Sequence, residues 1–221
     1  MDWIASLLGA LCPFCRRRTG DTRLACDDCA LRLALLERRP PEAVALDGGL
    51  ELRAALAYDD EWTRSLVLRQ KHLVTPVVIR RLARLIRRAT PPEWRTLRMA
   101  WVPGRVFAGL HLTEALALEL ARLGQPLVER QVLARRLWPR KPQKALSERE
   151  RRSRDMRKLY GVTRRSGKGS EESLVLLDDV VTTGATVEGC SDLLAEKLGA
   201  DVVGALALAY SPRRARADAK S

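Results

Sequence analysis

Aromatic side chains are scarce in this chain, at 5% of 221 residues. A core must therefore be built mostly from Leu, Val and Ala, and a hydrophobic fraction of 46% is enough to build one. No apolar run approaches the roughly 18 residues that a membrane-spanning helix needs. The apolar stretch from Ile4 to Leu11 is short, follows Asp2 rather than a basic region, and leads directly into cysteines. No signal peptide is expected from it. No internal repeat is found. These absences point to a cytoplasmic protein whose thiols stay reduced, where paired cysteines signal metal more often than disulfide. The length fits one sizeable domain plus a small module.

Acidic residues are outnumbered. Lys and Arg total 40 against 27 Asp and Glu, a formal net charge of +13. Such an excess suits an anionic partner: nucleic acid, a membrane surface or a phosphorylated substrate. The alternative is an Arg-rich solvated surface, because the positive charges are spread along the chain. They are densest over 135–144, where Arg135, Arg136, Arg140, Lys141 and Lys144 surround Trp138. That loop could hold nucleic-acid phosphates and stack a base, or simply be solvated.

What is present begins with two C-x-x-C pairs, Cys12-Pro13-Phe14-Cys15 and Cys26-Asp27-Asp28-Cys29. Each pair can grip one metal ion, and two pairs complete a tetrahedral sulfur site suited to structural Zn²⁺. Two disulfides or an iron–sulfur cluster are the alternatives. The segment is too small to bury much core, so the metal would supply its folding energy. Cys190 falls on a helix and reads as a small buried residue.

The most informative stretch is Val175-Leu176-Leu177-Asp178-Asp179-Val180-Val181-Thr182-Thr183-Gly184-Ala185-Thr186. It starts as a buried strand, reaches two acids where the strand should end, turns through small residues and enters a helix over 186–198. In a parallel sheet, ligands bind outside the carboxyl ends of strands. The turn would let backbone N–H groups and the helix N-terminus meet an anion. Carboxylates for a diol beside a phosphate cradle describe a sugar-phosphate site.

Elsewhere, 1–11 reads as a short amphipathic helix, 31–39 as a helix, and the stretch to Gly49 as a linker. Strands are expected over 50–58, 97–102, 127–133, 159–163 and 201–209, and helices over 62–73, 77–88 and 112–123. Strands alternating with helices predict a parallel sheet. The expected organisation is a four-cysteine zinc-binding module over 1–45, an α/β domain over 46–210 and a basic disordered tail over 211–221.

The segment 177–186 resembles the phosphoribosyl pyrophosphate (PRPP) signature of type I phosphoribosyltransferases. With four cysteines ahead of it, the chain resembles the ComF proteins of bacterial competence and DNA utilization (ComFC/GntX type). Arg69-Gln70-Lys71-His72 falls where that family carries a lysine, matched by Lys71. Gln143, Leu146, Ser147, Glu150 and Arg151 resemble a further family stretch, and Tyr160 falls near an aromatic position. The family's Val-Pro-Val-Pro reads here as Trp101-Val102-Pro103-Gly104, and its Arg-Gly-Phe-Asn as Ala108-Gly109-Leu110-His111, so that arginine and asparagine are missing. Arg105 or His111 would have to substitute.

The resemblance implies a type I phosphoribosyltransferase-like α/β fold with an N-terminal zinc module, and a role in DNA uptake and natural transformation. It implies PRPP binding by Asp178, Asp179, Val181, Thr182, Thr183, Gly184, Ala185 and Thr186, with Mg²⁺ accompanying the ligand. Asp178, Asp179 and Lys71 form the candidate catalytic set, Lys71 for pyrophosphate; a solvated helix-end lysine is the alternative. Single-stranded DNA and competence helicase or DNA-processing proteins are the implied partners. The altered 108–111 segment leaves phosphoribosyl transfer and a non-enzymatic DNA-handling role both open.

Overall fold

The computed structural model describes residues 10–19, 25–104, 111–127, 133–135, 159–163 and 173–212. Four consecutive residues, Leu174 to Leu177, are fully or almost fully buried. A strand buried on both faces belongs inside a sheet that helices cover on both sides, and the chain folds that way. It runs β1 (Ala10–Leu11), β2 (Arg18–Thr19), α1 (Asp27–Arg38), β3 (Glu42–Ala45), β4 (Glu51–Ala57), α2 (Glu61–His72) and α3 (Pro76–Ala89). After a 3₁₀ turn (Pro92–Thr96) come β5 (Arg98–Trp101), α4 (Leu112–Arg122), β6 (Leu133–Arg135), β7 (Tyr160–Val162), β8 (Ser173–Val181), α5 (Ala185–Leu198) and β9 (Asp201–Tyr210).

The main sheet has the order β3-β4-β9-β8-β5. Four strands are mutually parallel, with Leu52 opposite Ala205, Leu177 opposite Leu206 and Trp101 opposite Leu177. The fifth departs from the expected parallel sheet: β3 pairs antiparallel with β4 as an edge strand. Its residues lie in the stretch expected to be a linker. Glu42-Ala43-Val44-Ala45 carries little apolar patterning because an edge strand has less to bury, and the turn that returns it to β4 uses the left-handed Gly49.

The helices follow from their periodicity. In α3, Val78, Ile79, Leu82, Ala83, Leu85, Ile86 and Ala89 are buried, while Arg80, Arg81, Arg84 and Arg88 face solvent. Pro76 starts it, and the Pro91-Pro92 pair follows its end. Helices α3 and α4 pack on each other and on the sheet; α5 packs on β8, β9 and the small β6–β7 sheet. Among the described residues, no helix is long and apolar enough to cross a membrane.

Further boundaries shift: the helix expected over 31–39 begins at Asp27. Of the helix expected over 1–11, residues 1–9 lie outside the described residues, while Ala10 and Leu11 pair with Thr19 and Arg18 in a two-stranded ribbon, and Leu11 is exposed. The chain turns between the two short strands, with Cys12 N–H donating to the Arg17 carbonyl at 2.9 Å and Arg16 N–H to the Cys12 carbonyl at 2.8 Å. Of the strand expected over 127–133, Leu127 makes a parallel bridge to Met99 and Leu133 opens β6, while 128–132 lie outside the described residues.

Candidate functional site

Two side-chain groups stand out, one on each side of α2. The first is Cys12, Cys15, Cys26 and Cys29, whose sulfurs all lie within 4.8 Å of one another. The Cys15 and Cys26 sulfurs are 3.6 Å apart. Four sulfurs around a Zn²⁺ ion, each at about 2.3 Å, would be separated by about 3.8 Å. The cysteines are free thiols and are close enough to bind a metal ion. Cys12 and Cys29 are buried, with Phe14 between the first pair at 1% exposure. Burial works to raise the Cys12 thiol, but N–H groups of Cys26, Cys15 and Phe14 outweigh it and bring it to about 7. The Cys26 N–H donates to Cys12 Sγ at 3.4 Å, and Trp62 Nε1–H donates to Cys29 Sγ at 3.4 Å. Such donors favour thiolate, but at Cys29 burial outweighs Trp62, and at Cys15 burial outweighs the Arg17 N–H, so both of those thiols lie above the ordinary range.

The second group lies at the carboxyl end of β8. The strand does not stop at its acids: Asp178 is opposite Ala207, Val180 opposite Ala209 and Val181 opposite Tyr210. Strand β9 is ten residues long and supplies ladder partners to its end. The expected strand end at the two acids is therefore corrected to Val181. Because neighbouring strand residues point to opposite faces, Asp178 and Asp179 diverge. Asp179 Oδ1 is 2.8 Å from Lys71 Nζ, at the last turn of α2. Burial, and then the Asp178 charge, push the thiol of Cys190 in α5 up to about 12.

The acid pair is electrostatically loaded. Burial first, and then the Asp179 charge, push Asp178 up to about 8, against the opposing pull of the Asp179 N–H and Lys71. The Asp179 N–H donates to Asp178 Oδ1 at 2.8 Å. Tyr160 is buried nearby; burial and then the Cys190 charge raise its hydroxyl to about 12, with Asp178 and Asp179 adding to the effect. Arg135, from the basic stretch, lies 5.9 Å above the Tyr160 ring centroid. It belongs to β6 rather than to a loop. Arg136, Trp138, Arg140, Lys141 and Lys144 lie outside the described residues, as do Gln143, Leu146, Ser147, Glu150, Arg151 and Arg105.

After β8 the chain passes through Thr182 and Thr183 to Gly184, which caps α5 at φ 82° and ψ −14°. A side chain there would be strained, and its Cβ would come within 2.9 Å of Leu46. Leu46 belongs to the β3–β4 turn, which also donates its Gly48 N–H to Glu188 Oε1 at 2.5 Å. The hairpin tip is thus fastened against the start of α5, at Gly184 and Glu188. These contacts were not legible locally; Gly48-Gly49 signals a turn but not what the turn touches. His111, at the start of α4, packs against Gly104, where a Cβ would meet its ring at 2.7 Å.

The arrangement joins a lysine, two acids, one of them Asp178 with a raised carboxyl, and a glycine-capped helix N-terminus at the carboxyl edge of a parallel sheet. No family model matches the chain, and no curated protein matches it.

Proposed function

We propose that the carboxyl end of β8 binds a phosphorylated ribose, with PRPP as the ligand class, and that the four cysteines hold a structural Zn²⁺. The observation that carries the ligand reading is the Lys71–Asp179 contact at 2.8 Å. It joins a lysine and an acid, both singled out as site residues, at the strand end that precedes the Gly184-capped helix. A ligand phosphate would compete with Asp179 for Lys71 and leave that carboxylate for a ribose hydroxyl. The Thr182–Thr186 turn would supply N–H and hydroxyl donors to a second phosphate. Asp178, held largely protonated at neutral pH by its surroundings, would donate as well as accept hydrogen bonds.

The chemistry such a site supports is positioning and charge stabilisation rather than covalent attack. Among the described residues, the cysteines are the only group of three or more metal-ligating side chains close enough to share an ion. The two acids diverge and Lys71 engages one of them, so Mg²⁺ would arrive on the ligand's own phosphates, as it commonly does.

The test is a titration of PRPP with Mg²⁺ against wild type and the Asp178→Asn/Asp179→Asn double variant. Binding to wild type and at least tenfold weaker binding to the variant is expected; equal affinity would sink the reading. A role in handling single-stranded DNA, with or without transfer chemistry, is motivated by the net charge of +13. It predicts a mobility shift that weakens steeply with salt.

A further inference from the structure

We infer that Trp62 and Arg69 are positioning residues through which the four-cysteine metal centre holds Lys71 against Asp179. Helix α2 is fastened to the cysteine module at two points. Near its start, Trp62 donates to Cys29 Sγ. Near its end, Arg69 Nη2 donates to the carbonyl of Phe14, the buried residue between Cys12 and Cys15. Positions 62 and 69 are two helical turns apart and lie on one face. Lys71 is two residues beyond Arg69, about 200° further round the helix, and its amine reaches Asp179 on the other side.

The corner after Lys71 is fixed as well. Gln70 is buried and its Oε1 accepts from the Thr75 N–H at 2.8 Å, which locks the α2–α3 turn. At the other end, Asp60 caps α2 by accepting from Thr63 N–H at 2.8 Å, and Arg32 of α1 approaches Asp60 at 3.6 Å. The helix is therefore a strut with the metal knuckles on one flank and the acid pair on the other.

Charge supports the same assignment. Arg69 also donates to Ser65 Oγ at 2.7 Å, and its Nε is buried without an acceptor. Zn²⁺ held by four thiolates is a net dianion, which compensates a cation beside the knuckle. Bonds from an ion to Cys12, Cys15 and Cys29 would fix the Phe14 carbonyl and Cys29 Sγ, the two points at which α2 is anchored on that flank.

The inference rests on the metal site and on the Lys71–Asp179 contact, not on the ligand reading, so its test uses no PRPP. The amine reactivity of Lys71 would be measured on the full chain with an acylating reagent, by mass spectrometry. Lys197, which pairs with Glu196 on α5, serves as the internal reference. Asp179→Asn sets the scale for a released lysine, about fivefold faster labelling. Metal-loaded Arg69→Gln is expected to reach most of that value, Trp62→Phe part of it, and Arg69→Lys to fall back toward wild type. Chelation should reproduce the release, and restored metal should reverse it, with Lys197 unchanged. If chelation unfolds the chain by circular dichroism, the metal-loaded variants decide alone. Wild-type labelling of Lys71 in folded Arg69→Gln and Trp62→Phe would overturn the inference, as would unchanged labelling in folded metal-free protein.

Discussion

Lys71 Nζ stands 2.8 Å from Asp179 Oδ1, while burial and the Asp179 charge together raise the carboxyl of Asp178. The lysine pairs directly with one acid of the pair and only partly offsets what burial and the Asp179 charge do to the other.

A pH-dependent cost follows for Asp178. Burial and the Asp179 charge push its carboxyl up to about 8 in the folded protein from an ordinary 3.8. The folded chain binds the extra proton between those values, so this group's contribution to stability falls as pH rises through that window. Asp178→Asn keeps an oxygen for the Asp179 N–H and removes the cost. At pH 8 it should stabilise the protein by about 1–2 kcal/mol, with the gain shrinking toward pH 4. Urea unfolding of both proteins at the two pH values checks this; a gain independent of pH would contradict it.

Lys71→Met should separate stability from binding. The lysine is 38% exposed and Asp179 19%, so screening limits the loss of stability to below about 1 kcal/mol. Titration with PRPP and Mg²⁺ should weaken about tenfold, the equivalent of one charge-assisted contact. A variant that binds as wild type would remove Lys71 from the site.

Gly184→Ala tests the helix cap. A left-handed L-residue costs roughly 1–2 kcal/mol, and the contact with Leu46 adds overpacking of about 1–3 kcal/mol. Adding Leu46→Ala should relieve the second cost and not the first. A double-mutant cycle by chemical denaturation reads the coupling directly; strict additivity would mean the hairpin tip does not bear on the cap.

Gly204→Ala probes the core rather than the site. Its Cβ would fall 2.2 Å from the Trp94 ring, and both residues are held in place, Trp94 by the 3₁₀ turn and Gly204 by β9. A loss of at least about 3 kcal/mol is expected, seen as a lowered melting temperature with the metal content unchanged.

Elemental analysis should return about one zinc per chain. Cys29→Ser should lower that occupancy and destabilise the protein, because Cys12, Phe14 and Cys29 are part of the main buried cluster. Folded, metal-free wild type of unchanged stability would refute a structural ion.

Short-range chemistry was readable from the residues alone. The two C-x-x-C spacings gave a tetrad of sulfurs, the 3.6-residue rhythm of α3 gave its buried face, and the small residues after Val181 gave the turn into α5. In each case the cause lies within a few positions of the chain. What folding alone decided is who meets whom across long separations. Gly48 and Glu188 are 140 positions apart, and nothing near either one names the other. The strand order placed β9 beside β8, extended β8 beyond its acids, and turned Asp178 and Asp179 to opposite faces. Contacts with the cysteine knuckles then anchored α2, whose last turn sets the Lys71 amine 2.8 Å from Asp179. Local propensity has no access to such pairings, because they depend on which surfaces are left to cover once every helix and strand has formed.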